Sequence, residues 1–403
     1  MIQDTVFSQY ESLLDSSQIN KTTDPPLIVP SSEENLCETV GLAAFEKHKI
    51  CIVGGGIYPV APKNLSALPV SIAGLSGIKE IDSSDFVMVA QAGAIVDLAV
   101  NQAREANLLL PLNITSGTTA TVGGAYMAGS LGLSSTYYGA FRDAVIGVRC
   151  ISSSGKIVTF GGRTTKNVTG YDCTWFLGGT MGLFAIASEL IIKVRLLPER
   201  QIYITARFDK GSYELIEALS LIKKLRYVTS LEYVAPDGYN GMVTVGVGID
   251  GMEQLVAKTV RQCKEIMESV SPREVTEENV DGEFNSYRRS VSKRFVDTGF
   301  YTVSVPPSAS ETFVERCCTS FPDIPVTGHP LMGKFHIVCR TDSIVGAISK
   351  MSLALGGKYP VKWGSVAEQG IASMFSAEEL AVIKSLKHEL DPDNILNSHL
   401  LQD

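Results

Sequence analysis

Three stretches of this chain hold residue types whose spacing could do chemistry. The first is Gly328-His329-Pro330-Leu331-Met332-Gly333-Lys334-Phe335-His336. Two histidines seven residues apart face opposite sides of a straight strand. Pro330 and Gly333 offer a turn between them, which would bring both imidazoles to one point. Glu368, in Ala367-Glu368-Gln369-Gly370, would complete a set of two histidines and one carboxylate with open positions, as catalytic metal sites require. With five histidines in 403 residues, the same spacing also arises without any function, and by spacing alone that is the better reading. The second stretch is Gly54-Gly55-Gly56, directly after the apolar run 50–53. Consecutive N–H groups after a strand can form a nest for a pyrophosphate. Pro59 stands where a Rossmann fingerprint needs its third glycine, and no capped helix follows, which disfavours an NAD site. The triplet serves equally well as a tight turn. The third stretch, 119–198, holds Thr119-Ala120-Thr121-Val122-Gly123-Gly124, Tyr138-Gly139-Ala140-Phe141-Arg142-Asp143 and Gly161-Gly162-Arg163. A glycine-dense surface of this length suits a large flat ligand, because glycine lets the backbone approach closely or turn with positive φ.

The elements that must position these residues follow from periodicity. A short strand at 27–29, a helix to about residue 47 opened by the capping box Ser31-x-x-Glu34, and a strand at 50–53 make a βαβ unit. Strands at 69–72 and 86–90 precede a helix over 95–107. Runs at 145–151 and 157–160 flank the turn Ser152-Ser153-Ser154-Gly155, and an apolar run at 183–197 closes the region. From Gln201 the texture changes. Strand-like runs at 202–208, 242–249, 301–306 and 335–340 alternate with amphipathic helices at 213–225, 253–270, 310–318 and 343–355. This predicts a second α+β domain with an antiparallel sheet and helices on one face. The charged stretch 276–294 reads as a loop and helix at its rim. A last helix over 377–390 stops at Asp391-Pro392-Asp393, since proline cannot continue it.

Composition bounds the function. Hydrophobic residues make up 45% and charged residues 19%, an ordinary globular balance. A net charge of −8 argues against a nucleic-acid partner and against adhesion to anionic lipid. No apolar run is long enough to make a transmembrane segment. The start lacks the features of a signal peptide, which points to the cytoplasm. The eight cysteines are scattered without a C-x-x-C pair, so an iron–sulfur cluster on this chain is disfavoured.

From about residue 26 to the C-terminus, the order of these residues resembles the FAD-binding oxidoreductases of the vanillyl-alcohol-oxidase (PCMH-type) superfamily. Within it the chain is most similar to the flavin subunits of glycolate oxidase and the D-lactate and D-2-hydroxyacid dehydrogenases. The resemblance implies an α+β fold. A two-lobed FAD-binding PCMH-type domain would span 26–200, after an N-terminal arm at 1–25. An α+β substrate (cap) domain with an antiparallel sheet would follow over 201–375, and segment 376–403 would return to the flavin. It assigns FAD contacts to Gly54, Gly55, Gly56 and Ile57 in the pyrophosphate loop. Around the ring and ribityl chain it assigns Pro111, Ser116, Thr121, Gly123 and Gly124, with Gly182, Ile186 and Asn397 completing the cradle. His329, His336 and Glu368 match the family's ligands for a divalent metal such as zinc or manganese. Arg288 resembles the arginine that grips a substrate carboxylate bidentately.

The chain also departs from that pattern. Ile57-Tyr58-Pro59 replaces the usual Thr or Asn and further glycines. Gln369 stands where the family has a histidine that removes the hydroxyl proton, and an amide cannot act as a base. Phe300 occupies the place of a common lysine. The resemblance therefore implies an FAD-dependent dehydrogenase or oxidase of a small 2-hydroxy acid such as glycolate or D-lactate, with hydride passing to flavin N5. Electrons would go to an external acceptor, or to partner subunits carrying iron–sulfur clusters or flavin at the inner face of the membrane. Gln369 and Phe300 favour the alternative, a non-catalytic flavin-binding subunit of a glycolate-oxidase-like complex.

Overall fold

The computed structural model describes residues 2–23, 26–55, 67–112, 119–130, 132, 134–163, 171–211, 213–279, 282–339, 341–358, 360–363 and 375–401. Five of the expected site residues, Gly56, Ile57, Ser116, Glu368 and Gln369, lie outside these.

One hydrophobic core gathers residues between Phe7 and Val194 together with Ile395, Leu396 and Leu400. It is built on two sheets. The first has four short strands in the order Ile19–Asn20, Leu27–Ile28, Leu68–Ser71, Ile50–Val53, and the last pair runs parallel. Helix Glu33–Glu46 makes the crossover, as the βαβ pattern predicts. Its cap is Ser32, whose side chain accepts from the Asn35 N–H, and not Ser31. The Ser31 hydroxyl instead takes part in a cluster with the side chains of Gln18 and Asn35, and this removes it from the helix terminus. The second sheet has five antiparallel strands in the order Ile78–Asp82, Val87–Gln91, Ala185–Lys193, Val145–Ser152, Ile157–Gly161. A clamp joins the two sheets: Glu33, in the first turn of the crossover helix, takes Arg149 and Ser188 of the second sheet.

A separate core belongs to an eight-stranded antiparallel sheet in the order Glu274–Asn279, Arg200–Phe208, Val243–Gly251, Val228–Ala235, Val326–His329, Lys334–Ile337, Phe300–Ser304, Val361–Trp363. Side chains alternate between its faces. Ile202, Ile204, Val245, Val247, Leu231, Tyr233, Phe335 and Val303 point one way, into a core closed by helices Tyr213–Ile222, Glu253–Glu268, Ser310–Ser320 and Asp342–Ala354. The residues between them point the other way, and there the sequence is polar.

The charged stretch expected at the rim is placed differently. It contributes the edge strand Glu274–Asn279 and a sixteen-residue helix, Glu283–Thr298. That helix lies across the polar face, where Phe284, Val291 and Phe295 pack on Tyr203, Val234 and Val338. Helices therefore cover both faces of this sheet. The approach is close enough that a Cβ added at Gly246 would sit 2.1 Å from the Phe284 ring, so only glycine is accommodated opposite Glu232 in the ladder.

The two lobes touch through a short helix, Ser135–Tyr138. Tyr138 Oη donates to Asp250 Oδ2 at 3.0 Å, and Ser135 Oγ lies 2.8 Å from Met332 Sδ.

Candidate functional site

In the first lobe, strand Ile50–Val53 delivers Gly54 and Gly55 against the turn 119–124. A Cβ at Gly54 would lie 2.9 Å from Thr121 Oγ1 and 3.5 Å from Gly124 Cα, and one at Gly55 would lie 1.6 Å from the Thr119 carbonyl oxygen. Two bare turns thus face each other with no room for a side chain. Thr121 caps the next helix by accepting from the Gly124 N–H at 3.1 Å. The Gly123 N–H donates to the Ala92 carbonyl at 2.7 Å. Gly123 and Gly124 therefore contribute closeness of backbone, their N–H groups being already used.

The C-terminal segment reaches the same strand. Asn397 is buried, its Oδ1 accepting from the Ile52 N–H at 2.7 Å and its Nδ2 donating to the Met181 carbonyl at 2.6 Å. Gly182, at φ +69°, has no Cβ where Asn397 Nδ2 would be 2.9 Å away. Lys387 anchors this return by donating to the carbonyls of Leu183 and Leu396 and to Asp391, all at 2.5–2.6 Å. Ile186 is buried on strand Ala185–Lys193.

A cavity of about 470 Å³ opens between the lobes. Pro111 and Arg104 line it from the first lobe, and Tyr203, Asp250, Asn285 and Arg289 from the second. Bare facing backbone, a C-terminal strap and an open interlobe space fit a large cofactor such as FAD.

The polar face of the large sheet looks onto this junction and carries the second constellation. His329 and His336 sit on adjacent strands joined by the turn Pro330–Gly333, and their ring centroids are 5.9 Å apart. The turn does bring the imidazoles together. His329 is buried and His336 half-buried, and loss of solvent is the main reason both titrate low: His336 at about 4, with Lys334 adding to the effect, and His329 well below its ordinary value, with His336, Arg288 and Lys334 contributing. Thr302 Oγ1 lies 3.0 Å from His336 Nδ1 and fixes that ring, while Phe300 packs edge-on against it at 5.0 Å.

Arg288 projects from helix Glu283–Thr298 into the same cluster and is 2% exposed. Its Nη2 is held by Asn285. Its Nε lies 3.7 Å from Glu232 Oε2, an ion pair too long for a hydrogen bond. Arg288 Nε, Arg288 Nη1 and Glu232 Oε2 are buried without hydrogen-bond partners.

Glu232 is the residue that the sequence did not reveal. It lies 4.0 Å from His329 Nε2, and burial pushes its carboxyl up to about 7 although Arg288 pulls the other way. Its signal was one carboxylate inside the run Val228–Ala235, and nothing in the sequence ties that acid to residues about a hundred positions later. Among the described residues, no group of three or more His, Cys, Asp or Glu side chains is arranged to hold a metal ion. Two neutral imidazoles are suitable donors for one.

With this geometry in place, the comparisons can be set beside it. Residues 26–161 match the family described as an FAD binding domain, so this part of the chain carries an FAD-binding domain. It is 23% identical over 366 residues to the glycolate oxidase subunit GlcD of Bacillus subtilis, spanning 80% of this chain and 77% of that protein. It is 23% identical over 420 residues to the D-2-hydroxyglutarate dehydrogenase of Xanthomonas citri, spanning 93% and 89%. In three dimensions it superposes on alkyldihydroxyacetonephosphate synthase with a TM-score of 0.68 at 16% identity, covering 92% of this chain and 75% of that one. This last likeness establishes the fold. No helix among the described residues is long and apolar enough to cross a membrane.

Proposed function

We propose that this chain is an FAD-dependent dehydrogenase of a small 2-hydroxy acid, and that the polar face of the large sheet binds the acid. One observation carries the reading: a buried arginine with unmatched donors lies beside two neutral imidazoles, on a face that looks onto the cofactor lobe. Bound FAD would supply the two-electron acceptor. Gly54, Gly55, Thr121, Gly123, Gly124, Gly182 and Asn397 would hold it, through the close approach their bare or strapped backbone permits.

Arg288 Nη1, buried and without a hydrogen-bond partner, would donate to a carboxylate in a charge-assisted bond. Neutral His329 and His336 present lone pairs to the neighbouring hydroxyl region. They would also supply two of the ligands of a divalent ion, to which Glu368, outside the described residues, would add the third. Phe300 packs edge-on against His336. Relatives named as oxidase subunits support a partner chain that takes the electrons.

The absorption spectrum of the purified protein, recorded before and after adding glycolate or D-lactate, tests the proposal. A flavin band that bleaches on addition is the expected result. A colourless protein, or a flavin that no 2-hydroxy acid bleaches, would overturn it. Loss of bleaching after chelator treatment, restored by zinc or manganese, is expected if the metal takes part.

A further inference from the structure

Helix Glu283–Thr298 carries two consecutive arginines, and successive helix residues point about 100° apart. Arg288 turns toward the histidine pair. Arg289 lines the interlobe cavity instead, half-buried, with its Nε out of water and without a hydrogen-bond partner. Among the described residues, no carboxylate lies within ion-pair distance of it. The rest of the wall divides by character. Val96, Val100, Leu109 and Leu110 of the first lobe form an apolar side. On the second lobe, Asp250 Oδ2 accepts from Tyr138 Oη at 3.0 Å and from Gln201 Nε2 at 3.2 Å, so its charge is answered. Asp97 and Arg104, which also line the space, are engaged as well. Arg289 is left as the charged group of the wall without a partner. A guanidinium held partly out of water with no counter-ion is costly, and an anion entering the cavity relieves that cost.

The cavity also stands apart from the reaction site. Its described lining includes neither histidine, nor Arg288, nor any of the glycines that would hold FAD. Asn285 joins the two places, since it borders the cavity and holds Arg288 Nη2. At about 470 Å³ the space is of the size that takes a small molecule, with apolar walls for its body and a few polar groups to orient it. We propose that the interlobe cavity is a second ligand site, which takes a monocarboxylate with a short apolar body and binds its carboxylate to Arg289. Such a ligand touches both lobes and lies against Asn285, so its presence bears on the arginine of the substrate site. The site goes beyond the proposed reaction, because its ligand is not oxidised.

Titration calorimetry on the FAD-loaded full chain tests this with hexanoate, acetate and hexanol as probes. Affinity should rise about fourfold for each methylene added from acetate towards hexanoate. Hexanol, which lacks the charge, should bind roughly ten- to a hundredfold more weakly than hexanoate. Arg289→Met should remove that difference, and Arg289→Lys should restore part of it. Val100→Phe fills the space from the other lobe without touching a charge, and should weaken hexanoate by at least about tenfold. FAD content measured alongside shows that each variant is folded. No hexanoate binding by wild type, equal binding of hexanoate and hexanol, or unchanged binding in Arg289→Met overturns the proposal. A loss that follows Arg288→Met and spares Arg289→Met also overturns it, by putting the acid in the substrate site.

Discussion

The pair formed by Arg288 and Glu232 should cost the protein stability, and this can be measured. Both side chains are almost wholly out of water, at 2% and 5% exposure, yet their closest atoms are 3.7 Å apart. Removing one partner of a buried ion pair typically costs about 3–5 kcal/mol, because the survivor is left as an uncompensated charge. Replacing both with apolar residues of similar volume is neutral or stabilising by roughly 1–4 kcal/mol. Here two guanidinium donors and one carboxylate oxygen already lack partners, and each unmet buried group costs about 1–3 kcal/mol. The double variant Arg288→Met with Glu232→Met should therefore be more stable than wild type by about 1–4 kcal/mol while losing substrate-driven bleaching. The single variants should differ. Arg288→Met leaves an acid that can take up a proton, whereas Glu232→Met leaves a guanidinium that cannot lose one, so the second is the more destabilised near neutral pH. Urea unfolding followed by tryptophan fluorescence, with FAD content recorded in parallel, measures all three. A double variant less stable than either single variant would refute the claim that this pair is kept for binding at the expense of stability.

Gly55→Ala should yield protein that no longer retains FAD, since its Cβ would collide with the Thr119 carbonyl at 1.6 Å. Gly41→Ala, in the crossover helix with nothing within 4 Å of the new atom, should gain up to about 1 kcal/mol in the same unfolding assay. A double-mutant cycle on Tyr138→Phe and Asp250→Asn should return a coupling of about 1–2 kcal/mol, read by urea unfolding, and additivity would show that this contact does not hold the lobes together. Although burial raises the Glu33 carboxyl, its bonds to Arg149 and Ser188 outweigh that and hold it below its ordinary value. A depressed carboxyl stabilises the fold above the ordinary carboxylate range and loses that contribution as pH falls through its folded value. Thermal melts of Glu33→Gln should accordingly show a shallower acid dependence than wild type.

Much of the cofactor lobe was legible because its signals are local. Triple glycine after an apolar run, a hydroxyl-rich turn ending in Gly123-Gly124, and the Asp-Pro stop before Asn397 each depend on a few neighbours in sequence. The histidine pair was legible for the same reason, since Pro330 and Gly333 lie between the two residues. The rest of the site depends on strand order. Glu232 meets His329 because Val228–Ala235 is the ladder neighbour of Val326–His329, and both central strands lack the simple alternation that marks an exposed one. Helix Glu283–Thr298 looked like a solvated rim because most of its residues are polar. The sheet turns out to have a polar inner face, so a polar helix can lie on it with Arg288 inward. Ser31 and Ser32 show the limit at single-residue scale, since either could cap the helix until Gln18 engaged one of them.

The strap formed by Asn397 has a consequence for assembly. Its side chain bonds Ile52 from 345 positions away in the chain, and the backbone of 395–397 completes the edge of strand Ile50–Val53. During synthesis that edge of the first lobe cannot be completed before residues 395–397 emerge, after the whole second lobe. A chain cut anywhere within the second lobe leaves that strand without its final neighbour.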